Sequence, residues 1–159
     1  MKKILVVVTA AMSLALVLPP TASAAEPLNF YIKGGVLTDQ SFSFNPFLWT
    51  VGANLDFNIG SALMLSPECD IIVYKFNFKP LWLAPAVTLN FRAGGFYVGG
   101  GVGKFLVIGS GYDLSSDLLL KFNAGFKGNG LKLQAYVWTP LGDEAFEDFV
   151  VGAALGFGF

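Results

Sequence analysis

No histidine occurs anywhere in the chain, and cysteine occurs once, at Cys69. Without imidazole, neither Ser–His nor Asp–His machinery can be assembled. His-ligated metal sites are excluded, and a lone thiolate does not hold zinc. A single cysteine forms no intrachain disulfide and reads as a small apolar residue. Charge is also scarce, at 13% of residues against roughly 25% in an ordinary soluble domain, and no basic patch suggests a nucleic-acid partner. A further lack is a long apolar run: beyond residue 24 no stretch has the 18 or more uncharged apolar residues of a spanning helix. Yet 54% of the residues are apolar. Such a chain meets its backbone hydrogen bonds in lipid by closing strands into a barrel.

The first 24 residues stand apart. Lys2 and Lys3 precede an apolar run from Ile4 to Leu18, a Pro-Pro break, and the small-x-small triplet Ala22-Ser23-Ala24. This is the pattern of a secretory signal peptide, with cleavage expected after Ala24, or alternatively after Ala25. The domain is then 25–159, with eight basic and eleven acidic residues and a net charge of about −3.

The remaining chain alternates. The final stretch, Asp148 to Phe159, sets Phe149, Val151, Ala153, Leu155, Phe157 and Phe159 against Val150, Gly152, Ala154, Gly156 and Gly158. Period two over this length predicts a strand with one apolar face and one nearly bare face. Seven earlier segments carry the same rhythm: Leu28–Gly35, Phe47–Phe57, Ala62–Tyr74, Leu81–Phe91, Gly95–Gly103, Asp117–Phe126 and Leu131–Trp138. The turns around Asn58, Arg92 and Gly128 are short, and Lys127-Gly128-Asn129-Gly130 is a strong hairpin signal. The other connections are mostly longer, Lys104–Ser116 being the longest and unusually apolar. Pro67 and Pro85 lie inside neighbouring strands and are expected to mark bulges. The glycines from Gly99 to Gly101, followed by Gly103 and Lys104, do not make a phosphate loop. Val98 and Phe105 stand where that motif needs Gly and Ser or Thr, so the glycines predict close strand packing.

The less apolar face is mostly Gly, Ala, Asn, Thr and Tyr, where a water-facing surface would be rich in Lys and Glu. Its charges balance three against three: Lys33, Lys121 and Lys132 with Asp56, Glu68 and Asp70. These six are expected to form a buried, paired network inside a narrow barrel, since buried charges must pair. Catalysis by Glu68 and Asp70 as an acid/base couple is disfavoured by the nearby lysines. Phe30, Phe57, Phe91, Phe96, Phe126 and Phe159 fall at the short-turn ends of strands. Phe47, Trp49, Tyr74, Trp82, Trp138 and Phe149 fall at the other end, Trp138 with inward parity. Two aromatic girdles are expected of a membrane barrel.

The signal-like start, eight alternating strands and terminal GFGF resemble the small eight-stranded outer-membrane barrels, such as the OmpA transmembrane domain, OmpX and OmpW. The resemblance implies an all-β, eight-stranded antiparallel up-and-down transmembrane β-barrel in the outer membrane of a Gram-negative bacterium, with both termini periplasmic. It implies lipid as the surrounding partner and the barrel-assembly machinery as a partner of the closing strand, through Leu155, Phe157 and Phe159. No cofactor is expected.

Three roles fit this reading. The first is a non-enzymatic barrel with a plugged interior, structural in the envelope or acting through its outer loops. The second is a small channel or carrier for an apolar small molecule, using an apolar loop pocket of Phe42, Phe44, Phe47, Phe105 and Tyr112. Against that pocket, Phe105–Ile108 also reads as an extension of the fifth strand. The third is surface recognition by the acidic loop Gly142–Asp148. A soluble lipocalin-like carrier, with the faces exchanged, is the alternative to a membrane barrel.

Overall fold

The computed structural model describes residues 27–40, 48–74, 77–109, 114–142 and 148–159. The signal-like segment and the loop aromatics Phe42, Phe44, Phe47 and Tyr112 lie outside them. Ten strand segments form one sheet: β1 (Leu28–Asp39), β2 (Leu48–Ile59), β3 (Leu63–Tyr74), β4 (Asn77–Ala93), β5 (Phe96–Gly103), β6 (Leu106–Ile108), β7 (Leu114–Ser115), β8 (Leu119–Gly128), β9 (Leu131–Pro140) and β10 (Val150–Gly158). All pairings are antiparallel, and β3 meets β4 as well as β2, so the sheet closes on itself. The seam joins the two ends of the chain. β1 pairs β10 from Tyr31–Gly158 to Asp39–Val150, and Phe159 N–H donates to the Phe30 carbonyl at 3.0 Å. Eight strands make the closed barrel, and β6 and β7 extend it at one rim.

The short turns are built by backbone that favours glycine. Asn129 and Gly130 both have positive φ (50° and 75°), the requirement of a two-residue hairpin loop whose twist matches its strands. Neighbouring strands meet closely along β5. A Cβ added at Gly103 would come 2.7 Å from Trp138 Cη2 and would press on the Pro85 carbonyl.

The prolines make no bulge. Partners stay in step on either side of Pro67 (Asn54–Glu68, Phe57–Leu65) and of Pro85 (Ala86–Gly103, Leu83–Leu106). Lys104 N–H donates to the Pro85 carbonyl at 3.1 Å, but Pro85 has no N–H to return, so the ladder lapses there and divides β5 from β6. Alternation puts the missing Pro67 donor on the β2 side, where the pairs of Leu55 and Asp56 drop out. Both gaps face away from the β3–β4 ladder, which runs unbroken from Leu63–Phe91 to Ile72–Trp82. The one register shift between β3 and β4 lies at Ile72–Tyr74. β3 itself stays in step with β2, Trp49 opposite Val73 as Val51 is opposite Ile71, so Val73 keeps the face of Leu65 and Cys69 although it is buried and Tyr74 exposed.

Three connections differ from the sequence expectation. β1 continues four residues past Gly35, and β4 begins at Asn77, leaving only Lys75 and Phe76 between β3 and β4. The long connection after Gly103 is part strand: β6 pairs β4, and β7 pairs β6. Phe105–Ile108 thus continues the fifth strand.

Candidate functional site: a sealed lumen and an open mouth

Alternation sends the apolar side chains outward. Ile32, Val51, Val87, Leu89, Val98, Phe122, Leu133 and Phe157 are all exposed, a surface suited to hydrocarbon and not to water. The lipocalin-like arrangement, with this face inside, is not the one adopted. Phe30, Phe57, Phe91 and Phe159 mark the short-turn end of the exposed belt, and Trp49 marks the other; Tyr74 and Trp82 are exposed at that rim, but they pair with Leu48 and Ile72 of the inward face. Trp138 leaves that second girdle; it is buried inside the barrel at 2% exposure. Cys69 is exposed on the outer face. Leu155 and Phe157 project outward from β10, with Phe159 beyond its end.

The lumen is filled in layers. Nearest the short turns, Asp56 is completely buried. Its Oδ1 accepts from Lys132 Nζ (2.7 Å) and Ser66 Oγ (2.8 Å), and its Oδ2 from Lys127 Nζ (3.1 Å). Lys132 also donates to Asn54 Oδ1 at 2.6 Å, and Asn90 Nδ2 donates to Ser66 Oγ at 3.2 Å. The ring of Tyr97 lies 5.1 Å from Lys132 Nζ, and the Tyr97 hydroxyl donates to the Leu133 carbonyl at 3.0 Å.

One layer further, Glu68 is shared. Lys33 binds one carboxylate oxygen and Lys121 the other. Lys33 also pairs with Asp70 at 2.9 Å and donates to Gln134 Oε1 at 3.4 Å. Lys121, with no exposed surface, sits 4.4 Å from the centre of the Tyr136 ring and 4.8 Å from that of Trp138. Cation–π contact supplements the ion pair there.

The structure therefore brings Lys33, Asp56, Glu68, Asp70, Lys121 and Lys132 together as two linked knots from five strands. Lys127 is a seventh member that the turn reading passed over. The inward parity of Lys121, Asn123 and Gly125 would have reached it. Among the described residues, four lysines thus meet three carboxylates, and aromatic rings flank Lys121, Lys127 and Lys132. Glu68 and Asp70 do not form an acid/base couple, since both Glu68 oxygens are held by lysines. The gap lined by Tyr31, Lys33, Lys132, Gln134, Ala154 and Gly156 has no room for a water molecule.

Above the charges the filling turns apolar: Leu37, Ile72, Ala84, Ala86, Tyr136, Trp138 and Ala154 form one buried cluster, with Leu48, Phe105, Leu119 and Val150 packed on it. The barrel opens over this layer as a cup of about 500 Å³. Phe105, one of the expected pocket residues and the one that is described, meets the Trp138 ring at a tilt with centres 5.1 Å apart and forms part of the cup wall. At its edge are Asp39, Gln40 and Asp148, and Gln40 Nε2 donates to Asp148 Oδ1 at 3.2 Å.

No protein-family model matches the chain, and no curated protein matches it in sequence. Solved structures do match in shape. The N-terminal β-barrel domain of Pseudomonas aeruginosa OprF superposes with a TM-score of 0.54 at 12% identity, over 82% of this chain and 97% of that domain. Neisserial surface protein A (NspA) superposes with a TM-score of 0.50 at 10% identity, over 86% and 98%. At such identities the likeness is one of fold. The chain is a closed, eight-stranded antiparallel β-barrel of the small outer-membrane type.

Proposed function

We propose that this protein is a non-enzymatic integral outer-membrane barrel whose lumen is closed, with a structural role in the envelope or a surface role exercised at its open mouth. The observation that carries this reading is the buried network of three lysines on three carboxylates, with the part-buried Lys127 at its edge. A conducting pore would keep its charges in water. Here they are withdrawn from it and matched to one another, a costly arrangement that holds only while every partner is present. An exposed apolar belt and export by the leader favour the outer membrane, with the short turns and both termini on the periplasmic side. Leu155, Phe157 and Phe159 form the exposed row that the assembly machinery would read.

The test is single-channel recording of purified protein in planar bilayers. A closed lumen gives no steady open level, whereas a sustained large conductance would refute the reading. A second reading, capture of an apolar small molecule, is favoured by the cup, which falls within the roughly 300–1,000 Å³ usual for ligand sites. The closed lumen beneath the cup favours capture at the mouth over passage.

A further inference from the structure

We infer that the cup at the barrel mouth binds organic cations with a bulky aromatic or alkyl body. The inference rests on the closed-lumen reading, because the sealed layer supplies the cup with its floor. The floor and walls carry the apolar half of the argument. Trp138 lies inward at the bottom with Phe105 against it, and Leu119 and Val150 pack on the same buried cluster. They offer a dry, largely preformed surface in which flat or branched apolar groups displace water.

The edge carries the other half. The ionisable side chains among the described residues lining the cup are Asp39 and Asp148, both acidic. Asp148 is steadied by Gln40. They come from β1 and from the residues just before β10, which pair as neighbours at the seam, so both carboxylates stand on one side of the opening. The cation below the floor, Lys121, is already matched by Glu68. An apolar cup with a negative edge attracts an amphipathic cation and repels an anion of the same shape.

Tetraphenylphosphonium and tetraphenylborate provide that comparison. Trp49, Trp82 and Trp138 are the three tryptophans of the chain, so the Trp49→Phe/Trp82→Phe protein reports through Trp138 alone. In zwitterionic lipid nanodiscs, tetraphenylphosphonium should change Trp138 emission saturably, with tetraphenylborate at least about tenfold weaker. Adding Asp39→Asn and Asp148→Asn should weaken the phosphonium by a similar factor; the amide oxygen introduced by D148N keeps an acceptor for Gln40. Val150→Phe, which crowds the cup without adding a second tryptophan, should weaken the response to the phosphonium severalfold. Heat-modifiable migration on a gel verifies that each variant folds. Equal affinity for the two ions, no saturable response, or indifference to the aspartate changes would each overturn the inference. Bilayer recording separates it from the reading beneath: a steady pore refutes the closed lumen, whereas a silent barrel that ignores the phosphonium refutes only the cation site.

Discussion

Glu68→Gln is the most informative single change in this barrel. The substitution keeps shape and volume but removes the charge that both Lys33 and Lys121 share. Lys33 retains Asp70 at 2.9 Å. Lys121 retains a neutral amide oxygen and the faces of Tyr136 and Trp138, and it has no exposed surface through which water could solvate it. Stranding one charge of a buried pair costs about 3–5 kcal/mol, and a cation–π contact returns about 1–2 kcal/mol at most. The expected loss is therefore about 1–4 kcal/mol, a sizeable share of a typical folding stability of about 5–15 kcal/mol. Reversible urea unfolding in lipid vesicles, followed by gel mobility, measures it. Glu68→Gln combined with Lys121→Met removes the stranded charge and should regain most of the loss. Asp70→Asn should cost less than Glu68→Gln, because Lys33 keeps Glu68. A Glu68→Gln loss below about 0.5 kcal/mol, or a double variant no more stable than the single, would refute the claim that paired charges hold the lumen closed.

Three further outcomes are expected. Lipids brominated along their acyl chains should quench the Trp49 share of the parent protein's tryptophan emission but leave the Trp49→Phe/Trp82→Phe variant nearly unaffected; strong quenching there would place Trp138 in the lipid. Gly103→Ala should lower stability by about 1–3 kcal/mol, as an added Cβ meets the Trp138 ring and the Pro85 carbonyl, and an unchanged urea midpoint would contradict that packing. Deleting Phe159, whose N–H bonds to Phe30 at the seam, should reduce the heat-modifiable protein recovered from the outer membrane severalfold. Undiminished recovery would remove this residue from any assembly signal.

Much of the architecture was legible because period-two alternation assigns a face to every strand residue at once. Lys33, Glu68 and Lys121 could be placed inside together without knowing which strands touch. Effects that change the period or the pairing were not legible. The pairing of β3 with β4 shifts between Ile72 and Tyr74, and nothing in IIVY announces it. Pro67 and Pro85 do delete ladder donors, but the sequence does not show that both point away from the strand pair they share. Lys127 was obscured by its place in a strong turn motif, which drew attention to the backbone and away from a side chain long enough to reach Asp56. The cup draws its lining from several strands and exists only once Phe105 turns onto Trp138. No local pattern encodes that meeting.

The two aromatic rings on the outer wall also act as a ruler. Trp49 and Phe57 stand eight residues apart on one face of one strand. At about 3.3 Å per residue and a tilt near 40°, that interval rises about 20 Å along the barrel axis. A typical hydrocarbon core is about 30 Å thick, and the bacterial outer membrane is thinner than average. In a thick bilayer this wall must draw the lipid inward or leave its rings submerged, whereas in a thin one it fits unstrained. The spacing of a few tryptophans and phenylalanines therefore helps to select the membrane in which the protein settles.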